Sequence, residues 1–298
     1  MIRSPLFYVG DKYKLVPQLI EIFPDNISNY VEPFYGGGSS QLSVNAERFY
    51  LNDINEHVIK LHLFLLEYST KRDVFFSKLF ELIEYYKLSC SFKNKIVPTE
   101  LKKKYPKTYY SKFNKEGYEK LKTDYNFEKC SDMFKLYLLL IYGFNHMIRF
   151  NSNNEFNLPV GNVDFNKNVF KALNDYFDLQ FNRSIKLCNC DFELFINSLK
   201  FDENTFVYFD PPYLISMSEY NKNWTEEEEK RLYALIDELN DKGVKFGITN
   251  LVQHKGKINN IFKEWSEKYR VLDITSNYIS FNDNTIKQNS KEIYVYNY

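Results

Sequence analysis

Short apolar runs alternate with helical patterns along this chain, and several of the runs end at an acidic residue. The clearest run, Thr205–Phe209, is followed at once by Asp210, Pro211 and Pro212. Because proline fixes φ and donates no N–H, a strand must stop there. Further strands are predicted at residues 29–35, 48–53, 185–190, 244–249, 269–274 and 293–298. This alternation of strands and helices predicts an α/β fold.

The predicted helices suggest how the chain is organised. One helix is expected after the glycines at 36–38, up to about Glu47, and another from about 226 to 241, which Thr225 can cap. Between residues 57 and 164 the strand–helix alternation gives way to helical apolar spacing, a lysine- and tyrosine-rich stretch and a long apolar run. Residues 57–164 are therefore predicted to be an insertion in an α/β domain formed by residues 1–56 and 165–298.

A β-hairpin is predicted near the end of this insertion. Two short alternating runs flank Ser152-Asn153-Asn154, which are residue types typical of a turn. The polar side of the hairpin would carry Asn145, Arg149, Asn151 and Asn157.

Acidic residues and glycines lie at the predicted carboxyl ends of the strands. Asp53, Asp191 and Asp210 each close a run, and the glycines at 36–38 follow the strand that ends at Pro33. In an open α/β sheet, ligands bind at this edge. The glycines allow close backbone approach, and an acid about 20 residues later suits a ribose diol. The pattern indicates a nucleotide-like cofactor.

The tetrapeptide Asp210-Pro211-Pro212-Tyr213 indicates a second ligand. It brings together a carboxylate, a backbone carbonyl whose direction the prolines set, and a flat ring. The two acceptors can take both hydrogens of an exocyclic NH2 group while the ring stacks on its plane. The alternative is a β-edge turn with a surface tyrosine, which the accompanying acids disfavour.

Composition narrows the function less than these motifs do. Lys+Arg and Asp+Glu balance at 39 each, but residues 93–122 hold ten lysines against three acids. That stretch is either a solvated face or a phosphate-binding surface. The four cysteines and four histidines form no metal-ligand spacing, so no metal is expected. Neither a secretory signal nor a membrane span is predicted, and a cytoplasmic location is expected.

Seven segments carry a resemblance to a known family, and they follow in that family's order along most of the chain. They are Phe7-Tyr8-Val9-Gly10-Asp11-Lys12, Glu32-Pro33-Phe34-Tyr35-Gly36-Gly37-Gly38, Asn52-Asp53-Ile54-Asn55, the hairpin residues from Phe144 to Gly161, Asp191-Phe192, Asp210-Pro211-Pro212-Tyr213 and the closing residues from Ser290 to Tyr298. Together they resemble the Dam-like (D12 class) DNA adenine-N6 methyltransferases. The resemblance implies a Rossmann-like class I S-adenosylmethionine-dependent methyltransferase sheet with an inserted helical and hairpin target-recognition domain.

The same resemblance implies a reaction and a set of site residues. The reaction is methyl transfer from S-adenosylmethionine to N6 of a flipped adenine in duplex DNA, at a specific site. Catalysis is assigned to Asp210, Pro211, Pro212 and Tyr213. Cofactor contacts are assigned to Tyr8, Lys12, Glu32, Phe34, Gly36, Gly38, Asp53, Asp191, Phe192 and Asp210. DNA contacts are assigned to Phe144, Asn145, Arg149, Asn151 and Pro159. A monomer is expected. Two settings stay open: a restriction-modification system, whose cognate endonuclease acts on the same site without a stable complex, and a phage or solitary methylation system without such a partner.

Four residues depart from the family's pattern. Asp11 stands where the family usually has Gly, and Phe7, Asn154 and Asn162 stand where GATC-modifying relatives often have Lys, Gly and Arg. Arg149 is in register with an arginine that reads guanine. The recognition sequence therefore stays open and need not be GATC.

Three other functions remain alternatives. An N-methyltransferase acting on RNA or on a protein glutamine would use a tetrapeptide similar to Asp210-Pro211-Pro212-Tyr213. Those families, however, more often have Asn at its first position and lack the hairpin. A catalytically silent DNA-binding protein is disfavoured by the intact set of Asp53, Asp191 and Asp210. An NAD-dependent dehydrogenase is disfavoured because no hydride-transfer residues accompany the glycines.

Overall fold

The computed structural model describes residues 1–216, 224–274 and 290–298 of the chain. Its helices are α1 (Val16–Ile22), α2 (Glu56–Tyr68), α3 (Arg72–Tyr85), α4 (Thr99–Lys104), α5 (Tyr109–Phe127), α6 (Met133–Tyr142), α7 (Lys167–Gln180), α8 (Phe192–Asn197), α9 (Glu226–Asp241) and α10 (Asn260–Ser266). Its strands are β1 (Asn29–Glu32), β2 (Arg48–Asn52), β3 (Ser184–Cys188), β4 (Thr205–Phe209), β5 (Lys245–His254), β6 (Lys257–Ile258), β7 (Arg270–Ile274) and β8 (Ser290–Tyr296).

The chain divides into two compact units. The first contains Met1–Asp11, Gly36–Leu42 and Asn55–Asn182, and therefore helices α2 to α7. The second contains Lys12–Tyr35, Ser43–Ile54 and Arg183–Tyr298, and therefore all the strands given above. The assignment of residues 57–164 to target recognition and of the remainder to catalysis stays a prediction.

The second unit is built on one sheet with the strand order β3-β2-β1-β4-β5-β8-β7, and β6 pairs with the end of β5. The five strands from β3 to β5 are parallel, whereas β8 is antiparallel to β5 and to β7. The sheet grows from β1 to β3 on one side and through β4 and β5 on the other, so the order reverses between β1 and β4. The predicted Rossmann-like α/β fold is confirmed, and such a reversal is where these sheets bind ligands.

Strand β4 is buried along its whole length, which explains its strong sequence signal. Val207 and Phe209 lie in the cluster formed with helices α8, α9 and α10. Phe206 and Tyr208 lie in the cluster on the opposite face of the sheet. A strand covered on both faces has a continuous apolar run instead of an alternating one. The strand thus brings Asp210 to a fixed place beside the reversal.

The helix predicted after the glycines is absent, and that prediction was wrong. Only one 3₁₀ turn, Gln41–Ser43, forms there. The Val44 carbonyl, which a helix would bond to a later amide, accepts from the Arg183 guanidinium at 2.9 Å. The Val44 side chain is buried in the core of the second unit. Tertiary contacts therefore hold this segment in a non-helical conformation.

The first unit is centred on helix α6. Residues 135–142 are all buried, as expected for a helix that is surrounded by protein on every side. The Asp132 carboxylate caps its start by accepting from the Phe134 and Lys135 amides. The Tyr118 hydroxyl of α5 donates to the Leu139 carbonyl at 3.2 Å.

The predicted hairpin is present as a turn between paired segments, without regular strands. The Asn151 amide donates to the Glu155 carbonyl at 2.9 Å, and the Asn157 amide donates to the Arg149 carbonyl at 3.0 Å. We call residues 142–161 the hairpin.

Candidate active site

Asp210 follows β4 at the reversal of the sheet, and one of its carboxylate oxygens has several partners. Oδ1 lies 2.9 Å from Lys12 Nζ and accepts from Thr249 Oγ1 at 3.1 Å. The Tyr213 hydroxyl is also within hydrogen-bond distance of Oδ1, at 3.1 Å. In the described part of the chain, no side chain or amide donates to Oδ2. The fold therefore fixes the carboxylate through Oδ1.

Tyr213 is held by a second carboxylate. Its hydroxyl lies 2.5 Å from Glu292 Oε1, and Glu292, on β8, is 1% exposed. Lys12 Nζ lies 3.9 Å from the same oxygen and 4.5 Å from the centroid of the Tyr213 ring. We call Lys12, Asp210, Tyr213, Thr249 and Glu292 the acceptor cluster.

A buried tyrosine supports this cluster. The Tyr208 hydroxyl lies 3.0 Å from Thr249 Oγ1, which itself donates to Asp210. Burial, followed by the negative charge of Asp210, raises the pKa of Tyr208 well above its ordinary value. Tyr208 therefore remains protonated and can donate to Thr249 while Thr249 donates to Asp210.

Asn52 joins three strand ends at the same edge of the sheet. Its amide nitrogen donates to the carbonyls of Pro33, at 3.1 Å, and Cys190, at 3.0 Å, and its Oδ1 accepts from the Cys190 amide. The Asn189 side chain donates to the Asp53 carbonyl at 2.8 Å. These bonds set the position of Asp53, the candidate ribose ligand, at the end of β2.

Asp191 has partners at both of its carboxylate oxygens. Oδ1 caps helix α8 by accepting from the amides of Glu193 and Leu194, at 3.0 and 3.4 Å. Oδ2 accepts from Arg231 at 2.6 Å, and the Arg231 guanidinium carbon lies 4.3 Å from the Phe192 ring centroid. A cofactor amine at Asp191 would therefore share the carboxylate with Arg231.

Aromatic rings surround the candidate adenine-binding residues. The ring centroids of Phe34 and Phe192 are 5.4 Å apart, and Trp224 lies 5.6 Å from the first and 5.9 Å from the second. Glu32, at the end of β1, is buried and accepts from the Tyr30 hydroxyl at 3.2 Å. The cluster offers planar apolar surface, whereas Glu32 is already bonded within the core.

In the first unit, the glycine loop has a conformation that requires glycine. Gly36 and Gly38 have φ of +48° and +76°, and a Cβ on Gly37 would lie 3.1 Å from the Tyr8 Cβ. His62 Nε2 lies 2.9 Å from the Gly36 carbonyl oxygen. Burial lowers the pKa of His62 to about 4, so the neutral ring donates to the loop.

The candidate base-reading side chains of the hairpin are bonded to their own neighbours. Arg149 Nε and Nη2 donate to the side chain and the carbonyl of Asn157, both at 2.9 Å. Asn151 Oδ1 accepts from the amides of Asn153 and Glu155, both at 2.9 Å. These residues build the turn as well as offering polar groups.

The other candidate DNA contacts are more open to solvent. Phe144 is 50% exposed, and its amide donates to the carbonyl of Pro159, which is itself exposed. Asn145 is exposed and has a φ of +54°. Their exposure is compatible with contact to a partner.

Several residues that shape these sites were not predicted from the sequence. Thr249 is followed by Asn250 in β5, and Glu292 follows Ser290 and Lys291 in β8. Because each stands beside other polar residues, neither was marked by the sequence as a buried polar position. Glu229, in the first turn of α9, is fully buried and accepts from Trp224, Tyr233, Asn250 and Asn259.

The sequence pattern of the D12 class N6 adenine-specific DNA methyltransferases matches residues 8–280. This chain belongs to that family. The match includes the acceptor cluster except for Glu292, which lies beyond its end.

Several curated relatives agree with this D12 class assignment. The chain is 33% identical to Type II methyltransferase M.FokI of Planomicrobium okeanokoites and 29% identical to Modification methylase StsI of Streptococcus sanguinis. Both matches cover 100% of this chain but only 43% of the relative, so the chain spans less than half the length of either. It is 28% identical to DNA adenine methylase of Haemophilus influenzae, over 74% of this chain and 66% of the relative.

Two further observations concern other kinds of site. Within residues 1–216, 224–274 and 290–298, no group of three or more His, Cys, Asp or Glu side chains is arranged to hold a metal ion. In the same ranges, no helix combines the length and apolarity that crossing a bilayer requires.

Proposed function

We propose that this D12 class chain transfers the methyl group of S-adenosylmethionine to N6 of an adenine flipped out of duplex DNA, at a specific site. The observation that carries the proposal is Asp210, which is fixed through Oδ1 at the reversal of the sheet. A carboxylate held in this way can direct Oδ2 at a substrate amine. A paired restriction endonuclease that acts on the same site fits the two relatives that are a type II methyltransferase and a modification methylase.

The residues of the second unit fit S-adenosylmethionine. Asp53 suits a ribose diol, and Phe34, Phe192 and Trp224 suit a planar adenine beside Asp191. When bound, the cofactor supplies a methyl group activated by a sulfonium. By family resemblance, Tyr8, Gly36, Gly38, Glu32 and Lys12 also contribute to this binding. Lys12 would then divide its ammonium between a cofactor carboxylate and Asp210.

Asp210 and Tyr213 act on the target nitrogen. The N6 lone pair of adenine is conjugated into the ring, so the nitrogen is a poor nucleophile. Oδ2 of Asp210 and the Pro211 carbonyl accept its two hydrogens in the geometry of an sp³ nitrogen, which favours the transition state over the ground state. Because Lys12 lies over one face of Tyr213, the flipped base stacks against the opposite face.

The first unit supplies the DNA contacts in this proposal. The lysine-rich stretch 93–122 neutralises phosphates, which makes binding depend on salt. Arg149 reads guanine O6 and N7, and Asn145 or Asn151 reads adenine. Phe144 enters the stack beside the flipped base. Flipping itself costs a few kcal/mol, which these contacts must offset.

Transfer of a tritiated methyl group tests the proposal. The wild-type protein is incubated with labelled S-adenosylmethionine in three separate reactions. The acceptor is unmethylated duplex DNA in the first, RNA of the same sequence in the second and a glutamine-containing protein in the third. We expect label in the duplex DNA alone. Label in RNA or protein only would mean that Asp210-Pro211-Pro212-Tyr213 binds a different substrate. The absence of label from every acceptor would contradict methyl transfer.

A further inference from the structure

The last described strand brings a buried carboxylate to the acceptor cluster. Glu292 lies on β8 opposite Leu251 of β5 and is 1% exposed. A carboxylate removed from water needs donors of its own, because nothing else replaces its lost hydration. The Tyr213 hydroxyl at 2.5 Å is such a donor, and the Lys12 ammonium lies 3.9 Å away.

The Tyr213 hydroxyl stands between two carboxylates but carries one hydrogen. The distance to Glu292 Oε1 is 2.5 Å, and the distance to Asp210 Oδ1 is 3.1 Å. The shorter contact favours donation of that hydrogen to Glu292. A charge-assisted bond of this kind is short and strong, so the far end of the Tyr213 ring is anchored by Glu292.

Anchoring the hydroxyl restricts the ring. A tyrosine held at its Cβ by the backbone and at its oxygen by a buried partner cannot swing away from its plane. Lys12 touches the same ring and the same two carboxylates. Glu292 therefore influences both the stacking surface and the lysine that fixes Asp210.

We propose that Glu292 is a positioning residue for methyl transfer, acting through the Tyr213 hydroxyl. The role rests on the proposed function. Glu292 holds the Tyr213 ring where a flipped adenine stacks, and the benefit appears when the reacting groups are aligned, more than when DNA first binds.

A double-mutant cycle tests this role. Single-turnover methyl transfer is measured with saturating DNA and S-adenosylmethionine for Glu292→Met, Tyr213→Phe and the double variant. Each single substitution is expected to slow transfer about tenfold, the size of one charge-assisted hydrogen bond. The double variant is expected to be about tenfold slower as well, because both changes remove the same bond. Glu292→Gln, which keeps an acceptor, should recover most of the rate.

Two single variants at another carboxylate control for loss of stability. Asp237 also accepts from a tyrosine and a lysine, since Tyr269 and Lys268 each donate to it at 2.7 Å, and none of the three is a candidate site residue. Asp237→Leu and Tyr269→Phe should lower Tm but leave the single-turnover rate unchanged. A rate loss there equal to that at Glu292 would reduce the Glu292 effect to general destabilisation and overturn the proposal.

Several outcomes would overturn the positioning role. The first is a double variant that transfers methyl about a hundredfold more slowly than wild type, which would mean that the two effects are independent. The second is a Glu292→Gln variant no faster than Glu292→Met. The third is a Tyr213→Phe variant that transfers methyl at the wild-type rate. The last decides the matter even if Glu292→Met fails to fold. If the wild-type protein methylates DNA and Tyr213→Phe is equally fast, only the positioning role of Glu292 is removed. If the wild-type protein methylates no DNA, the proposed function is removed as well.

Discussion

In the acceptor cluster, partners of Asp210 come from the segment before α1, from the loop after β4 and from β5. In the hairpin, by contrast, Arg149 and Asn151 bond to residues eight or fewer positions away. The cluster is fixed mainly by long-range contacts, and in the described part of the chain Oδ2 of Asp210 accepts from no side chain or amide. The hairpin uses its polar groups to hold its own shape.

This difference bears on how each region would work. Groups that are already oriented need no rearrangement when charge develops in a transition state, which is the main source of electrostatic catalysis. Groups that are bonded to their own turn must exchange those bonds for bonds to bases. We therefore expect the hairpin to contribute discrimination between sequences more than total affinity.

The largest expected effect comes from removing the centre of the cluster. Asp210→Ala should lower the single-turnover rate about a hundredfold to a thousandfold, the range seen when one preorganised polar group is lost from an active site. DNA binding, measured by fluorescence anisotropy, should change little. A rate within about threefold of wild type, well below that range, would remove Asp210 from the mechanism.

Arg149→Ala tests the hairpin side of the comparison. The ratio of affinities for cognate and scrambled DNA should fall about tenfold to a hundredfold, because a bidentate contact to guanine discriminates by about 1–3 kcal/mol. Asn157→Ala, which removes one of the partners holding Arg149, should change that ratio less. An unchanged ratio in Arg149→Ala would show that this arginine maintains the turn and does not read a base.

The glycine loop shows that the first unit also contains a preorganised element. The folded-state pKa of His62 is about 4, below the ordinary value of about 6.5. As pH falls below 6.5, the unfolded chain takes up a proton that the folded chain does not, so the free energy of unfolding decreases. Between pH 7 and pH 5, wild type should lose about 2 kcal/mol more than His62→Gln. The free energy of unfolding is measured by urea titration at both pH values. An equal loss in wild type and in His62→Gln would contradict a buried, neutral His62 ring.

The smallest expected effect concerns the lysine-rich stretch. Lys115, an exposed residue of α5, is expected to contact a phosphate. Lys115→Ala should lower the affinity for cognate and for scrambled DNA equally, by a few-fold. It should also reduce the slope of log affinity against log salt concentration by about one. A change confined to cognate DNA would indicate base reading by this residue instead.

Where the sequence signal is local, prediction from sequence succeeded. Helix α9 begins and ends where its pattern predicted, and Thr225 caps it by accepting from the Glu228 amide. Strand β4 and the turn at Asp210 follow from an apolar run stopped by prolines. The hairpin was predicted from its turn residues, although its flanks form isolated pairs and not strands.

Prediction failed where distant segments decide the outcome. The segment after the glycines is non-helical because Arg183 binds the Val44 carbonyl from 139 positions away. Glu292 joins Tyr213 across 79 positions, and no pattern along the chain links them. Such pairings depend on the order of the strands in the sheet, which places β8 beside β5. That order was not predicted from the sequence.

The identity of the modified base is the most direct test of the central claim, that Asp210 and Tyr213 hold an extruded adenine for methylation at N6. Duplex DNA treated with the wild-type protein and S-adenosylmethionine is digested to nucleosides and measured by mass spectrometry. We expect N6-methyladenine with wild type and its loss with Asp210→Ala. Methylation of a different base, or equal amounts of N6-methyladenine from both proteins, would contradict the account.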